Sequence, residues 1–185
     1  MIHIRAATGS DASEIAAIYA PYVSASAVSF EDKPPSAETM AKRIAAANGR
    51  YPWLVAVSDT DGVLAFAYAT TFRERVAYRF TVETTIYVAK TKQGKGVGTL
   101  LYAALLDTLE AQGFTQAIAA IALPNDASIK LHESMGFFRA GVYRAVGWKQ
   151  GAWRDVGLWQ RELATPEGVP EEPRPFSEIG LVRND

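Results

Sequence analysis

Gln93-Gly94-Lys95-Gly96-Val97-Gly98 stands between an apolar stretch of strand character, Thr85 to Val88, and an amphipathic helix that the spacing starts near Val97. Its three glycines alternate, and each lets the backbone approach a bulky anion or take up positive φ without a Cβ penalty. The helix that follows leaves its first N–H groups without partners and gathers partial positive charge at the same end. The stretch reads as a phosphate cradle or, equally from spacing alone, as a plain connector with a solvated Lys95. Neither nucleotide motif fits. A Walker loop needs Ser or Thr after its lysine, where Gly96 stands, and a dinucleotide fingerprint wants an acid about 20 positions on, where Gln116, Ala117 and Ile118 stand.

Upstream, Trp53 to Val57, Val63 to Thr71 and Tyr78 to Val88 are rich in β-branched and aromatic residues and read as antiparallel strands, the first two joined by an Asp61-Gly62 hairpin turn. Before them come a short strand, Ile2 to Arg5, and a helix with Ile15, Ile18, Tyr19 and Tyr22 on one face, which Pro21 is expected to kink or stop. Ser24 to Pro35 is a loop that covers a site or merely connects, with a possible small strand at Val28 to Phe30. A second helix follows Pro35-Ser36, carries Met40, Ile44 and Ala47 on one side, and stops at Asn48-Gly49. Downstream, Leu100, Leu101, Ala104, Leu105, Thr108 and Leu109 form the stripe of the main core helix, closed by Gly113. Ala117 to Leu123 reads as a central parallel strand buried on both faces, and Asp126 to Met135 as a short helix. Phe138 to Val146 and Asp155 to Leu163 read as strands joined through Gly147 to Trp153. From Thr165 a proline-rich tail is expected to lie extended on the surface. This interleaving predicts one α+β domain with a mixed sheet.

The 185 residues are about right for one domain with a core that needs no staples. Nineteen basic and twenty acidic side chains nearly cancel, so nothing in that balance suggests a nucleic-acid footprint and any anion is expected at a local site. The absence of cysteine removes disulfides, thiolate nucleophiles and cysteine-ligated metals. Met1-Ile2-His3-Ile4-Arg5 lacks a signal-peptide core, and no run nears the roughly 18 apolar residues of a membrane span, so a cytoplasmic location is expected.

The strand ending Ile86-Tyr87-Val88, followed by the glycine loop and helix, resembles the acetyl-CoA signature of the GNAT N-acetyltransferases, Q/R-x-x-G-x-G/A. Asn125, Ser128, Leu131 and Gly136-Phe137 match their second signature. Arg50 to Ala56, Ala77 to Val88, Leu109 to Phe114, Leu123-Pro124-Asn125-Asp126 and Trp153 to Gly157 resemble, more narrowly, the phosphinothricin N-acetyltransferases. The resemblance runs from about Ile2 to Leu163, within a domain read as 1–163, and the proline-rich tail, 164–185, is similar in character; the loop from Ser24 to Pro35 and the Gly94-Lys95 pair depart from the pattern.

That resemblance implies a mostly antiparallel mixed sheet splayed between its fourth and fifth strands, flanked by about four helices. It implies acetyl-CoA as co-substrate, no metal, and transfer to the α-amine of phosphinothricin-like or methionine-sulfoximine-like amino acids, a detoxification chemistry associated with herbicide resistance. Another amine, a protein N-terminus, or a silent acyl-CoA-binding role are the alternatives. A homodimer is implied, with no nucleic-acid or membrane partner. By the same resemblance Ile86, Tyr87 and Val88 pair with the pantetheine arm, one N–H acting as oxyanion donor. Gln93, Gly94, Lys95, Gly96, Val97 and Gly98 hold the diphosphate, and Asn125 and Ser128 flank the arm, Asn125 also serving as a helix cap. Glu83, a carboxylate interrupting a β-branched strand, is the candidate base, directly or through water. His132 is the second catalytic candidate, as acid toward the departing thiolate or as base. Arg73, Arg75 and Tyr78 stand where substrate contacts are implied, Arg73, Glu74 and Arg75 otherwise reading as a solvated turn, and Phe30 closes the pocket.

Overall fold

The β-branched and aromatic runs form seven strands: β1 (Ile2–Ala6), β2 (Trp53–Ser58), β3 (Gly62–Thr71), β4 (Thr81–Val88), β5 (Gln116–Ala122), β6 (Phe138–Lys149) and β7 (Ala152–Glu162). The helices are α1 (Ala12–Ser24), α2 (Ala37–Ala46), α3 (Val97–Gln112), α4 (Asp126–Ser134) and the short α5 (Phe176–Ile179). This computed structural model describes residues 1–47 and 49–183; Asn48, read as part of the stop after the second helix, lies outside them. The strands make one sheet in the order β1-β2-β3-β4-β5-β7-β6, antiparallel except where β4 meets β5. Among the described residues no helix is long and apolar enough to cross a membrane.

Strand alternation divides the core in two. Leu54, Ala56, Ala65 and Ala67 face α3, where Leu101, Leu105 and Leu109 are fully buried. Trp53, Val55 and Phe66 face α1 and α2, which supply Ile15, Ile18, Tyr19 and Met40. Each such side chain contributes about 1.5–3 kcal/mol by burial, which explains why α1 runs through Pro21 to Ser24 instead of stopping: Val23, beyond the proline, is 1% exposed. Ser36 caps α2, its hydroxyl accepting from Thr39 N–H at 3.1 Å.

Several local expectations change. Residues 25–36 form no strand at Val28 to Phe30, and Tyr78 lies not on β4 but in a 3-10 turn, Val76–Tyr78, before it. β5 is buried on one face only, since the helices on the other cover β1 to β4 and leave Ala120 exposed. β6 and β7 run on through most of Gly147 to Trp153, so that Trp148 pairs with Trp153 across a turn at Gln150-Gly151, both at positive φ. After Leu163, residues 164–175 form neither helix nor strand, yet the chain then docks rather than staying extended on the surface. Arg174 N–H donates to Gln112 O at 2.7 Å, Val182 N–H to Thr108 Oγ1 at 3.0 Å, and Phe176 and Leu181 pack against the α3 core.

Candidate active site

β4 and β5 pair over three positions only, Thr81 with Gln116, Val82 with Ala117 and Glu83 with Ile118. At the fork Thr84 Oγ1 donates to Ile118 O at 3.2 Å and lies 2.7 Å from Tyr102 Oη. Past it the strands leave one another, β4 staying with β3 and β5 with β7. The register shows which backbone groups this strands. Ala89 N–H bonds Leu64 O, so the in-phase residues Tyr87 and Thr85 spend their amides on β3, and those of Ile86 and Val88 turn toward the gap. Likewise Leu123 N–H bonds Asp155 O on the β7 side, which turns Ala120 and Ala122 toward the gap from β5. Two unpaired strand edges thus line the opening, a template for an extended amide-bearing ligand. Tyr22 of α1 reaches one of these groups, donating to Val88 O at 2.5 Å, and accepts from the Gln93 side-chain amide at 2.7 Å.

Below the gap lies the glycine loop. Gly94 and Gly96 hold φ of +71° and +78°, in the left-handed region that favours glycine. Gly98 has helical backbone, and its reason is proximity: a Cβ there would stand 3.2 Å from Val88 Cγ2. The α3 ladder begins with Leu100 N–H to Gly96 O, which leaves the N–H groups of Val97, Gly98 and Thr99 facing an anion site at the positive end of a sixteen-residue helix.

A cavity of about 660 Å³ passes through the split. Glu83, Thr85 and Tyr87 alternate onto its α1/α2 face with Tyr19, Tyr68 and Phe30, while His132 lines it from the α3/α4 face. Burial raises the Glu83 carboxyl above the usual range, the nearby Arg73 charge opposing in part. His132 is 3% exposed, packed edge-on to Tyr102 and Phe137. Burial lowers its pKa, and its Nδ1 stands 2.7 Å from Ser128 O. A carbonyl can only accept, so the proton sits on Nδ1 and the Nε2 lone pair is left available. Asn125 Oδ1 caps α4, accepting from Ser128 N–H at 3.2 Å.

Phe30, Glu83, Ile86, Tyr87, Val88, Gln93, Gly94, Gly96, Gly98, Asn125, Ser128 and His132 therefore come together. Lys95 is exposed and outside the cavity lining, and the Val97 side chain is buried in the core, leaving only its N–H to face a ligand. Arg73, Arg75 and Tyr78 line a separate depression with Phe72 and Glu74, the Arg73 guanidinium lying 5.0 Å from the Phe72 ring centre. Sequence reasoning missed Tyr22, Thr84, Ala120 and Glu31. Tyr22 read as one more apolar helix position, and the pattern of a helix face says nothing about where a hydroxyl ends.

The family model of the acetyltransferase (GNAT) domain matches residues 4–158. A phosphinothricin N-acetyltransferase of Streptomyces viridochromogenes is 41% identical over 179 residues, 96% of each chain. An L-methionine sulfoximine/L-methionine sulfone acetyltransferase of Pseudomonas aeruginosa is 38% identical over 120 residues, 65% of this chain and 70% of the other. A GNAT superfamily phosphinothricin acetyltransferase from Sinorhizobium meliloti, solved in complex with AcCoA, matches with a TM-score of 0.88 at 36% identity, covering 96% of this chain and 97% of that one.

Proposed function

The chain belongs to the GNAT acetyltransferases, of the phosphinothricin acetyltransferase type, and from that premise we propose that it acetylates the α-amine of phosphinothricin-like and methionine-sulfoximine-like amino acids. The observation that carries the reading is the cavity running from the glycine cradle, between two unpaired strand edges, to a half-buried carboxylate. These groups fit acetyl-CoA. The N–H groups at the start of α3 and the loop of Gly94 and Gly96 suit a diphosphate, and the amides of Ile86 and Val88 suit a pantetheine arm. When bound, acetyl-CoA supplies an activated acyl group.

The remaining work falls to the chain. An α-ammonium must lose one proton before its nitrogen can form the new C–N bond, and a second as the amide forms while the C–S bond breaks. Glu83, its pKa raised by burial, is a better acceptor of the first proton than an exposed carboxylate. His132, neutral and with its Nδ1 proton engaged by Ser128, acts as a base through Nε2 rather than as an acid. The N–H of Ile86 or Val88 supports the carbonyl oxygen as charge develops on it.

The acidic groups of these substrates require cations, and Lys92, the one cation among the described lining residues, is tied to Asp61 at 2.9 Å. We assign that role to Arg73, whose charge already reaches Glu83 within one chain, with Arg75 and Tyr78 beside it and the site completed by a second copy in a homodimer. The exposed Trp148 and Trp153, 61% and 63% accessible on the β6–β7 hairpin, support such an interface. The deciding experiment is thiol release from acetyl-CoA across a panel of amines that includes phosphinothricin and methionine sulfoximine. Turnover with α-amino acids of this type is expected, and turnover confined to polyamines or peptide N-termini would replace the assignment.

A further inference from the structure

Of the twelve residues of β6 only Gly147 and Lys149 are buried, and both lie under the loop that joins α1 to α2. Gly147 sits against the Phe30 ring, so close that a Cβ on it would stand 2.3 Å from Phe30 Cε2. Lys149 donates from Nζ to the main-chain oxygen of Glu31 at 2.5 Å. Burying an ammonium is costly unless it is partnered, and a simple connector does not call for one. The Glu31 side chain is tied as firmly in other directions. Arg43 of α2 donates a fork to Oε1 and Oε2 at 2.7 and 2.9 Å, and the Tyr19 hydroxyl of α1 donates to Oε1 at 2.9 Å. One residue thus joins α1, α2 and β6, and both it and the residue before it, Phe30, line the cavity that holds Glu83.

We propose that Glu31, held by Arg43 and Lys149, clips this loop across the cavity and fixes Phe30 over Gly147, so that the clip determines which acceptor side chains the enzyme admits. It rests on the reading above for the identity of the acceptor. Lys149, which does not line the cavity, is a positioning residue that acts through Glu31 and Phe30, whereas Glu31 is itself part of the lining. A ring held in one place measures an acceptor side chain to about a methylene, a difference worth roughly 10–200-fold in an apolar pocket. A released ring measures nothing.

The test uses the full chain as Glu31→Gln, Lys149→Met and Lys149→Arg. Hydrogen–deuterium exchange follows residues 25–35, and steady-state kinetics follow a series of acceptor amino acids that differ by one methylene. In Lys149→Met and Glu31→Gln the loop should exchange about tenfold faster, KM for the preferred acceptor should rise about tenfold, and discrimination along the series should flatten. KM for acetyl-CoA should stay within about twofold, and Lys149→Arg, which keeps a cationic donor, should restore both loop protection and selectivity. Faster exchange with unchanged selectivity would reduce the clip to a structural tie. Altered selectivity with unchanged exchange would mean direct contact with substrate. Either result overturns the proposal. Should the wild type acetylate some other class of amine, the acceptor assignment fails by itself, and the same comparison on a graded series of that class decides the clip.

Discussion

At the scale of single residues, burial acts on the two candidate bases in opposite directions. Glu83 is pushed up from an ordinary value of 4.5 and His132 down from 6.5, so Glu83 gives up its proton above 4.5 and His132 below 6.5. An acid limb of kcat set by Glu83 is therefore expected above pH 4.5, and a pH–rate profile whose acid limb lies at or below 4.5 would contradict the assignment. The stability consequences follow from linkage. A carboxyl with a raised folded pKa contributes stability at acidic pH that is lost as pH rises through that pKa. Glu83→Gln should thus raise Tm at neutral pH while lowering kcat by about 10²–10⁴-fold, with the affinity for acetyl-CoA unchanged; a fall in Tm would show that the carboxylate is held by partners instead. For His132 the lowered pKa contributes stability above 6.5 that is lost as pH falls through the folded value. Glu83 was legible because a carboxylate breaks a run of β-branched residues. The tautomer of His132 was not, because it depends on where the Ser128 carbonyl points.

At the scale of elements, the cradle and the fork carry the binding. Gly94 and Gly96 were readable from glycine spacing, and their positive φ supplies the reason for that spacing. Since nothing stands within 4 Å of a Cβ at Gly96, Gly96→Ala introduces backbone strain without a clash. At about 1–2 kcal/mol, the dissociation constant of CoA should rise about 5–30-fold in calorimetry, and an unchanged value would remove the loop from the binding site. The fork was legible only as an implication of family resemblance, because two strands part through the register of their neighbours, and no single strand's pattern records that. The docked tail makes a similar point. Deleting residues 174–185 removes Phe176 and Leu181 from the α3 core and two acceptors or donors from Gln112 and Thr108. About 2–4 kcal/mol is expected to be lost, seen as a fall in Tm of roughly 5–15 °C. An unchanged Tm would make 164–185 an appendage to a domain that ends at Leu163.

At the scale of the whole molecule, the cationic groups and the reacting end line two different depressions, with the Arg73 charge alone shown to act on Glu83. The cavity holds Glu83 and His132, while Arg73, Arg75 and Tyr78 line their own depression. Sedimentation equilibrium should find a dimer, and Trp148→Glu together with Trp153→Glu should dissociate it and raise KM for the amino acid more than for acetyl-CoA. A wild-type monomer with full activity would send the search for the cationic anchor elsewhere. Element order, the mixed sheet and the two signatures followed from the sequence alone, because periodicity, turn chemistry and glycine spacing are local properties that each stretch carries with it. The tertiary structure decided which amides of β4 face the gap, which nitrogen of His132 is free of its proton, and how Lys149 comes to rest on Glu31, 118 positions away. Those outcomes depend on register and on packing between segments remote in the chain, where a hydrogen bond goes to whichever acceptor the fold brings within about 3 Å.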